Sequence, residues 1–342
     1  MIRELLPRLS RGERLTREET TAAVRFMMRG EATDEEIGEF LQALAARGET
    51  AEEILGGAEA LRAEGIHFRR RWDRLLDTCG TGGDRSNTYN ISTATAFVAA
   101  AAGVPVAKHG NRSVSSRCGS ADVLEALDAN IELGPEQAEQ VLEDTGFTFL
   151  NARLFHPAMR HVAKARAKLG TRTLFNWLGP LSNPAGATHQ LIGIPDPNRL
   201  HDIAQTLSQL GTQHAFVVHG TGGLDELSLE PGNVAIECTS QSWGKVLSMD
   251  AESIGLGPAG NDQLIGGDAS VNARIIHSVL SGEERGPKRD ALILNTAAAL
   301  WAASKVSNLS HGAHMAREHI DNGSALRVLK NFAQLSKRLG RN

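Results

Sequence analysis

The sequence predicts an α/β protein in which a small N-terminal helical domain precedes a larger domain built on a mostly parallel sheet. Three Thr-x-x-Glu patterns lie within the first 65 residues, and each precedes apolar residues spaced as on one face of a helix. From residue 74 onward, short apolar runs alternate with helical segments, as is typical of parallel strands joined by helices. A chain of 342 residues is long enough to give both parts a hydrophobic core.

The N-terminal helices are predicted from their capping signals. A helix start is marked by a threonine whose side chain accepts the backbone N–H of a glutamate three residues later. The glutamate side chain in turn accepts the backbone N–H of the threonine. The pairs are Thr16 with Glu19, Thr33 with Glu36 and Thr50 with Glu53. Gly30 and Gly48 fall where two of the helices should end. Because four short helices cannot bury all of their apolar faces among themselves, we expect part of this region to contact a second subunit.

We place the domain boundary after residue 73. Residues 1–73 are then the helical, dimer-forming domain, and residues 74–342 are the α/β domain. The segment 172–187 interrupts the strand–helix rhythm with two prolines and several large apolar residues. We expect this segment to cross between the domains and to pack back on the helical one.

The second domain contains six strand candidates and eight helix candidates. The expected strands are Leu75–Asp77, Val104–Ala107, Phe147–Leu150, Gln190–Ile194, Ala215–His219 and Val234–Cys238. The expected helices cover residues 93–102, 120–128, 135–144, 157–169 and 198–210, followed by Asn272–Ser281, Arg289–Ala303 and His314–Leu335. In a sheet of this kind, ligands bind at the carboxyl ends of the strands.

Two loops that follow neighbouring strands have the composition of anion-binding sites. The first contains Gly80, Gly82 and Gly83, whose missing side chains let backbone N–H groups approach an anion, and it leads into a helix start at Asn90–Thr93. The second, Lys108–Ser116, adds a lysine, an arginine and several hydroxyls. Either loop alone could be an ordinary turn, whereas both together indicate a ligand with more than one phosphate.

Two further groups of polar residues suggest a binding site. Asp225 and Glu226 follow a strand and a glycine-rich loop, and adjacent carboxylates at such a rim suit a magnesium ion that also binds a polyphosphate, unless they are simply solvated surface acids. A basic helix begins after His156 and contains Arg166. Residue composition does not distinguish Arg166 from the other cations of that helix.

Composition restricts the class of partner. The formal net charge of −4 provides no general basic surface for nucleic acid. The three cysteines lack the spacing of a metal site and are expected to be reduced thiols. We find no signal-peptide pattern and no apolar run long enough to span a membrane, and therefore expect a cytoplasmic protein without a membrane partner.

Seven motifs, taken in order, resemble those of the anthranilate phosphoribosyltransferases of tryptophan biosynthesis. They are GTGGD, NIST, KHGNRSVSS, GSADVLEAL, FHPAM, RTLFNWLGPLSNP and GLDE, and the resemblance covers nearly the whole chain. It implies the nucleoside phosphorylase II fold and a homodimer formed by the N-terminal helices. It also implies transfer of the phosphoribosyl group of phosphoribosyl pyrophosphate, the donor, to the amine of anthranilate, the acceptor, with Mg²⁺ as cofactor.

The resemblance also assigns site residues. Positions implied for the donor are Gly80, Gly83, Asp84, Thr88, Asn90, Ile91, Ser92, Thr93, Lys108, His109, Gly110, Asn111, Arg112, Ser113, Val114, Ser115, Ser116 and Ser120. Positions implied for the acceptor are Gly80, Asn111 and Arg166, and those for magnesium are Ser92, Asp225 and Glu226. Lys108, Asp225 and Glu226 are the implied catalytic residues, since they would neutralise charge on the leaving pyrophosphate. The attacking amine is neutral, so no strong general base is required.

The chain departs from the family pattern at two places. Asn151-Ala152-Arg153 stands where relatives carry an aromatic residue, alanine and proline, and Arg85 stands where a small residue is common. Arg153 could attract a carboxylate, obstruct the path of the acceptor or face solvent. These departures leave a different aromatic acceptor as one alternative.

Two other classes of function remain alternatives at this point. A pyrimidine nucleoside phosphorylase of the same fold would bind inorganic phosphate and would not need the acidic pair. A non-catalytic, nucleic-acid-binding relative would require a basic surface and would have lost the magnesium residues. The acidic pair Asp225-Glu226 together with the motif KHGNRSVSS argues against the phosphorylase, and the net charge of −4 with the intact acidic pair argues against the nucleic-acid-binding relative.

Overall fold

The computed structural model describes residues 1–113 and 117–340. Its first four helices are α1 (Ile2–Ser10), α2 (Arg17–Met28), α3 (Asp34–Arg47) and α4 (Ala51–Ala63). All three predicted capping boxes are confirmed: each threonine accepts the N–H of the glutamate three residues later, whose carboxylate accepts the threonine N–H. The local sequence therefore determines where α2, α3 and α4 begin.

The sheet has seven strands in the order β3-β2-β1-β4-β5-β6-β7. The strands are β1 (Leu76–Gly80), β2 (Val106–Gly110), β3 (Phe147–Asn151), β4 (His189–Gly193), β5 (His214–His219), β6 (Val234–Thr239) and β7 (Trp243–Ser248). Neighbours from β3 to β5 pair in parallel, and β6 and β7 extend the sheet antiparallel. The prediction of a mostly parallel sheet is confirmed, and the sequence missed β7, an edge strand with largely exposed side chains.

Eleven further helices connect and cover the strands in the described residues. They are α5 (Ile91–Ala101), α6 (Ser120–Ala126), α7 (Pro135–Thr145), α8 (Ala152–Phe155), α9 (Arg160–Leu169), α10 (Leu174–Leu181), α11 (Leu200–Gln209), α12 (Ala269–Leu280), α13 (Pro287–Ala302), α14 (Leu309–Asp321) and α15 (Ser324–Leu339). The single helix expected at His314–Leu335 is wrong. Gly323, with a φ of +71°, separates α14 from α15, because this left-handed conformation ends a helix.

Helix α10 lies inside the segment 172–187 and packs against α4. A Cβ atom on Gly57 of α4 would lie 3.1 Å from the Leu178 side chain, so the absence of a side chain there allows the two helices to approach closely. At the start of α10 the Asn176 side chain accepts the Thr173 N–H at 2.9 Å.

The sheet separates two hydrophobic cores. Along β5, Phe216 and Val218 belong to the core formed with α5, α13, α14 and α15, whereas Ala215 and Val217 belong to the core shared with α2, α3, α4 and α11. This alternation follows from the two faces of a strand. Within residues 1–113 and 117–340, no helix is both long enough and apolar enough to cross a membrane.

Candidate active site

The site lies where the order of the sheet reverses, between the carboxyl ends of β1 and β4. Thr81 donates its backbone N–H to the Gly193 carbonyl at 3.0 Å, which joins the ends of these strands. The loop after β5 crosses both ends: a Cβ on Gly80 would lie 2.4 Å from an Asp225 carboxylate oxygen, and one on Gly193 would lie 1.6 Å from the Asp225 carbonyl oxygen. Only glycine at positions 80 and 193 allows this approach, which brings Asp225 to the crevice where α/β sheets bind ligands.

The loop after β1 is held against Asp225. Gly82 donates its N–H to the Asp225 carboxylate at 2.7 Å, and Gly82 and Gly83 have φ values of +71° and +77°. Asp84 accepts hydrogen bonds from the N–H and hydroxyl of Ser86 at 3.1 and 2.6 Å. Arg85 is exposed and has a φ of +61°. The predicted glycine-rich loop is therefore an ordered turn beside the acidic pair.

A second cluster joins Lys108 to Glu226 through Ser92. The Lys108 ammonium donates to the Ser92 hydroxyl at 3.1 Å and to the Thr78 carbonyl. Glu226 accepts the Ser92 N–H at 3.1 Å and also interacts with its hydroxyl. Three of the predicted site residues, distant in sequence, are thus brought into direct contact at the first turn of α5.

The carboxylates are placed where a proton or a cation would be favoured. Burial, the negative charge of Asp84 and that of Glu226 raise the pKa of Asp225 well above its ordinary value. Burial raises the pKa of Glu226 to about 7, although Lys108 and the Ser92 N–H oppose the rise. Both side chains keep a partial opening to solvent. A divalent cation would relieve this repulsion.

The described residues contain no group of three or more His, Cys, Asp or Glu side chains arranged to hold a metal ion. Magnesium is often held by one or two carboxylates together with substrate phosphates and waters. The pair Asp225 and Glu226 beside Ser92 fits that kind of site.

The start of α5 presents several of the predicted donor residues. Asn90 precedes this helix, and its side chain donates to the Cys118 carbonyl and accepts from Asn272. Ile91 and Thr93 are buried, and the Thr93 hydroxyl has no partner in the described structure. Thr88 lies in the preceding turn, with its hydroxyl 3.5 Å from that of Ser86.

The second loop is only partly described. Gly110 lies against Ser120, since a Cβ there would be 2.2 Å from the Ser120 hydroxyl. Arg112 forms ion pairs with Asp122 and Glu125, and the Ser113 N–H donates to Asp122 at 3.0 Å. The exposed Asn111 side chain accepts the Arg112 N–H. The predicted positions Val114, Ser115 and Ser116 lie outside the described residues.

Arg166 lies on α9 with its guanidinium over the Phe175 ring, 5.3 Å from the centroid. Burial lowers its pKa from the ordinary value. In the described part of the chain the Arg166 side chain forms neither an ion pair nor a hydrogen bond, and it therefore makes no polar contact with Gly80 or Asn111. Arg153 is exposed on α8. Arg166 is thus a half-buried cation held by an aromatic ring and available to an anion.

His109 and His156 form a buried pair of rings with centroids 5.1 Å apart. His109 Nδ1 lies 3.1 Å from the Gly179 carbonyl, and His156 Nε2 lies 3.1 Å from the Ser182 carbonyl. Burial lowers the pKa of His109 to about 3 and that of His156 to about 4. Both rings are therefore neutral at pH 7, and each donates a ring N–H to a backbone carbonyl, His109 to that of Gly179 and His156 to that of Ser182.

This pair predicts acid sensitivity. The folded pKa of His156 lies below the ordinary value of about 6.5, so the unfolded chain binds more protons, and the free energy of unfolding should fall as pH is lowered from 7 to 4. The shift corresponds to about 3 kcal/mol for His156. In urea titrations at several pH values, His156→Gln should show a shallower pH dependence than the wild type. The exposed His277→Gln is the control, and equal slopes for both variants would contradict the assignment.

Sequence reasoning missed a buried support beneath the two loops. Asp77 is fully buried and accepts from the His109 N–H at 3.2 Å and from the Asn183 side chain at 2.8 Å, and the same Asn183 amide donates to the Ala107 carbonyl. Asp77 and Asn183 thus connect β1, β2 and the turn after α10. Asp77 is the last residue of the expected strand Leu75–Asp77 and Asn183 lies in the segment 172–187, but nothing in either stretch of sequence indicates that the two side chains meet.

Comparison with known proteins agrees with this architecture. The helical bundle domain of the glycosyl transferase family matches residues 3–65, and the a/b domain of that family matches residues 73–326. The fold and the site therefore define a two-domain glycosyl transferase.

Curated relatives and solved structures identify the particular family of glycosyl transferases. The anthranilate phosphoribosyltransferase of Roseiflexus castenholzii is 47% identical, over 98% of each chain. The structure of the Thermus thermophilus enzyme of that name has a TM-score of 0.91 at 43% identity and covers 97% of this chain and 99% of its own. The structure of the Saccharomyces cerevisiae enzyme, solved in complex with phosphoribosyl pyrophosphate and Mg, has a TM-score of 0.91 at 27% identity. It covers 99% of this chain and 98% of its own. The chain belongs to the anthranilate phosphoribosyltransferase family, as its motifs predicted.

Proposed function

We propose that this protein transfers the phosphoribosyl group of phosphoribosyl pyrophosphate to the amine of anthranilate, giving N-(5-phosphoribosyl)anthranilate and pyrophosphate. This reaction would be the second step from chorismate to tryptophan. The observation that carries the proposal is the contact between the acidic pair and both the glycine-rich loop and the start of α5, through Gly82 and Ser92. An acidic pair so placed would lie beside the diphosphate of a donor held by the loop N–H groups.

The residues of the chain act mainly by position and charge. Lys108 is only 2% exposed, and its ammonium is fixed by Thr78 and Ser92, so it is held ready to stabilise negative charge on the leaving pyrophosphate. The N–H groups at the start of α5 provide an anion site at the same rim. These groups need no reorganisation when charge develops on the leaving group.

Magnesium fits the acidic pair, because Asp225 and Glu226 are partly buried acids with raised pKa values. Ser92, Asp225 and Glu226 would hold the ion, which when bound would supply positive charge to the diphosphate.

The acceptor would be held by its carboxylate. Arg166 is a half-buried cation without an acidic partner in the described structure, and a carboxylate beside it would gain a charge-assisted hydrogen bond. Asn111 provides a further hydrogen-bond donor for the carboxylate, and Gly80 is the third position that the family resemblance implies for the acceptor. The neutral amine attacks as the bond to pyrophosphate breaks and loses its proton afterwards.

The domain organisation follows the same proposal. Residues 1–73 would form the dimer-forming domain and residues 74–342 the donor-binding domain, with 172–187 packed on the former. A homodimer through α1 to α4 rests on the family resemblance alone, because most large apolar side chains of these helices are buried within the chain and only Leu6 and Phe26 are partly exposed. Nucleic acid is not a proposed partner.

The reaction is tested by the loss of anthranilate fluorescence in the presence of phosphoribosyl pyrophosphate and magnesium, with 4-aminobenzoate as the control acceptor. Anthranilate should be consumed only when donor and metal are both present. Consumption of 4-aminobenzoate alone, or of neither acceptor while the donor still binds, would overturn the assignment of the acceptor.

A further inference from the structure

A cleft of about 510 Å³ separates the end of α3 from the glycine-rich loop after β1. It is lined by both domains, including Glu49 from the helical side and Gly83 from the loop, with Arg172, Trp177 and Arg199 between them. Arg172 immediately precedes the capping residue of α10 and was not among the predicted site residues. Its contacts connect the loop to the helical domain.

Arg172 holds the loop through a backbone carbonyl. Its guanidinium Nη2 donates to the Gly82 carbonyl, while the Gly82 N–H donates to Asp225. A Cβ on Gly83 would lie 2.6 Å from Arg172 Nη2 and would displace the guanidinium, and the φ of +77° at Gly83 also disfavours any other residue there. The two peptide groups that flank Gly82 are therefore anchored separately, one to an acid of the proposed metal site and the other to Arg172.

This anchorage fixes the direction of a neighbouring hydrogen-bond donor, the Gly83 N–H. In a trans peptide the C=O and the following N–H point in opposite directions. Since the Gly82 carbonyl is held by Arg172, the Gly83 N–H points away from Arg172, and it has no acceptor among the described residues. If this peptide were reversed, the carbonyl would point where the N–H now does and would repel an anion there.

Arg172 is itself held on a rigid platform. Its guanidinium lies over the Trp177 ring, 5.4 Å from the centroid, and Arg199 lies over the same ring at 5.7 Å. Trp177 Nε1 donates to the Glu49 carboxylate at 3.3 Å, and Arg199 donates to the Glu49 carbonyl at 2.5 Å. Trp177 and Glu49 are only 5% and 6% exposed. The platform is thus tied to the turn between α3 and α4.

Arg172 forms no ion pair in the described structure, because no carboxylate lies within ion-pairing distance of its guanidinium. Its planar group donates to a carbonyl and stacks on an indole, a combination that lysine cannot reproduce.

We propose that Arg172 is a positioning residue for donor binding: it holds the Gly82–Gly83 peptide so that the Gly83 N–H faces the diphosphate. The proposal rests on the proposed function for the identity of the donor. It assigns Arg172 a role in the affinity for the donor and none in the affinity for the acceptor.

The test compares Arg172→Ala and Arg172→Lys with the wild type and with Lys168→Ala, an exposed cation on α9. Calorimetry with pyrophosphate and magnesium measures donor-site affinity without the acceptor, and steady-state kinetics gives KM for each substrate. Arg172→Ala should weaken pyrophosphate binding and raise the KM of the donor about 10- to 100-fold, with the acceptor KM unchanged. Arg172→Lys should recover only part of the loss, and Lys168→Ala should match the wild type.

A second measurement separates positioning from general damage. In amide NMR spectra, pyrophosphate should shift the Gly83 resonance in the wild type and not in Arg172→Ala, while circular dichroism shows both to be folded. A folded Arg172→Ala with wild-type pyrophosphate affinity, or a loss that falls equally on both substrates, would overturn the proposal. A wild type that binds pyrophosphate normally but does not consume anthranilate would instead contradict the proposed function.

Discussion

Replacing Asp225 with asparagine should lower magnesium-dependent kcat/KM by roughly 10²–10³-fold while leaving the fold intact. The asparagine oxygen can still accept the Gly82 N–H, so the local hydrogen bond is kept and only the charge is lost. Because burial and the charges of Asp84 and Glu226 raise the pKa of Asp225, that charge is unfavourable in the metal-free protein. The variant should therefore unfold at the same temperature as the wild type, or a higher one, without magnesium.

The measurement is a magnesium titration of initial rates, together with thermal unfolding with and without the ion. Asp262→Asn, at an exposed acid in the short 3-10 helix before α12, serves as the matched control and should behave as the wild type. Identical magnesium curves for Asp225→Asn and the wild type would remove Asp225 from the metal site.

Replacing Arg166 with alanine should cost roughly 2–5 kcal/mol of interaction with the acceptor. The guanidinium lies over Phe175, and burial lowers its pKa, so it is a partly desolvated cation whose interaction with a carboxylate is stronger than that of an exposed one. The loss should appear in kcat/KM for anthranilate, while the KM of the donor stays unchanged. Lys168→Ala on the same helix is the control for a general loss of positive charge.

A change of substrate gives a sharper version of the same experiment. Aniline lacks the carboxylate, so the wild type and Arg166→Ala should use it with equal, low efficiency. If the variant lost as much activity with aniline as with anthranilate, Arg166 would act on something other than the carboxylate.

Local sequence was sufficient for the features that depend on neighbouring residues. The capping boxes of α2, α3 and α4, the glycine turn at Gly82–Gly83 and the acids after β5 are all set within a few residues. Parallel strands place their carboxyl ends on one edge, so the meeting of the loops with the acidic pair also followed from the strand–helix rhythm.

Features that depend on distant contacts were not predictable from the same signals. Asp77 reads as the end of a strand, and only the fold shows that Asn183 reaches it. The role of Gly193 depends on a loop that begins some thirty residues later and crosses above it. The choice of Arg166 among the cations of α9 came from the family resemblance, since its stacking on Phe175 is a tertiary contact.

The absence of side chains at Gly80 and Gly193 also limits how this enzyme can change in evolution. Any side chain at either position would meet the backbone or carboxylate of Asp225, so a substitution there would displace Asp225 and weaken binding of the sugar donor. Positions such as Arg153, exposed on the short helix after β3, carry no such restriction. A library that diversifies residues 152–154 while keeping both glycines should therefore yield variants with altered acceptor preference and unchanged use of the sugar donor.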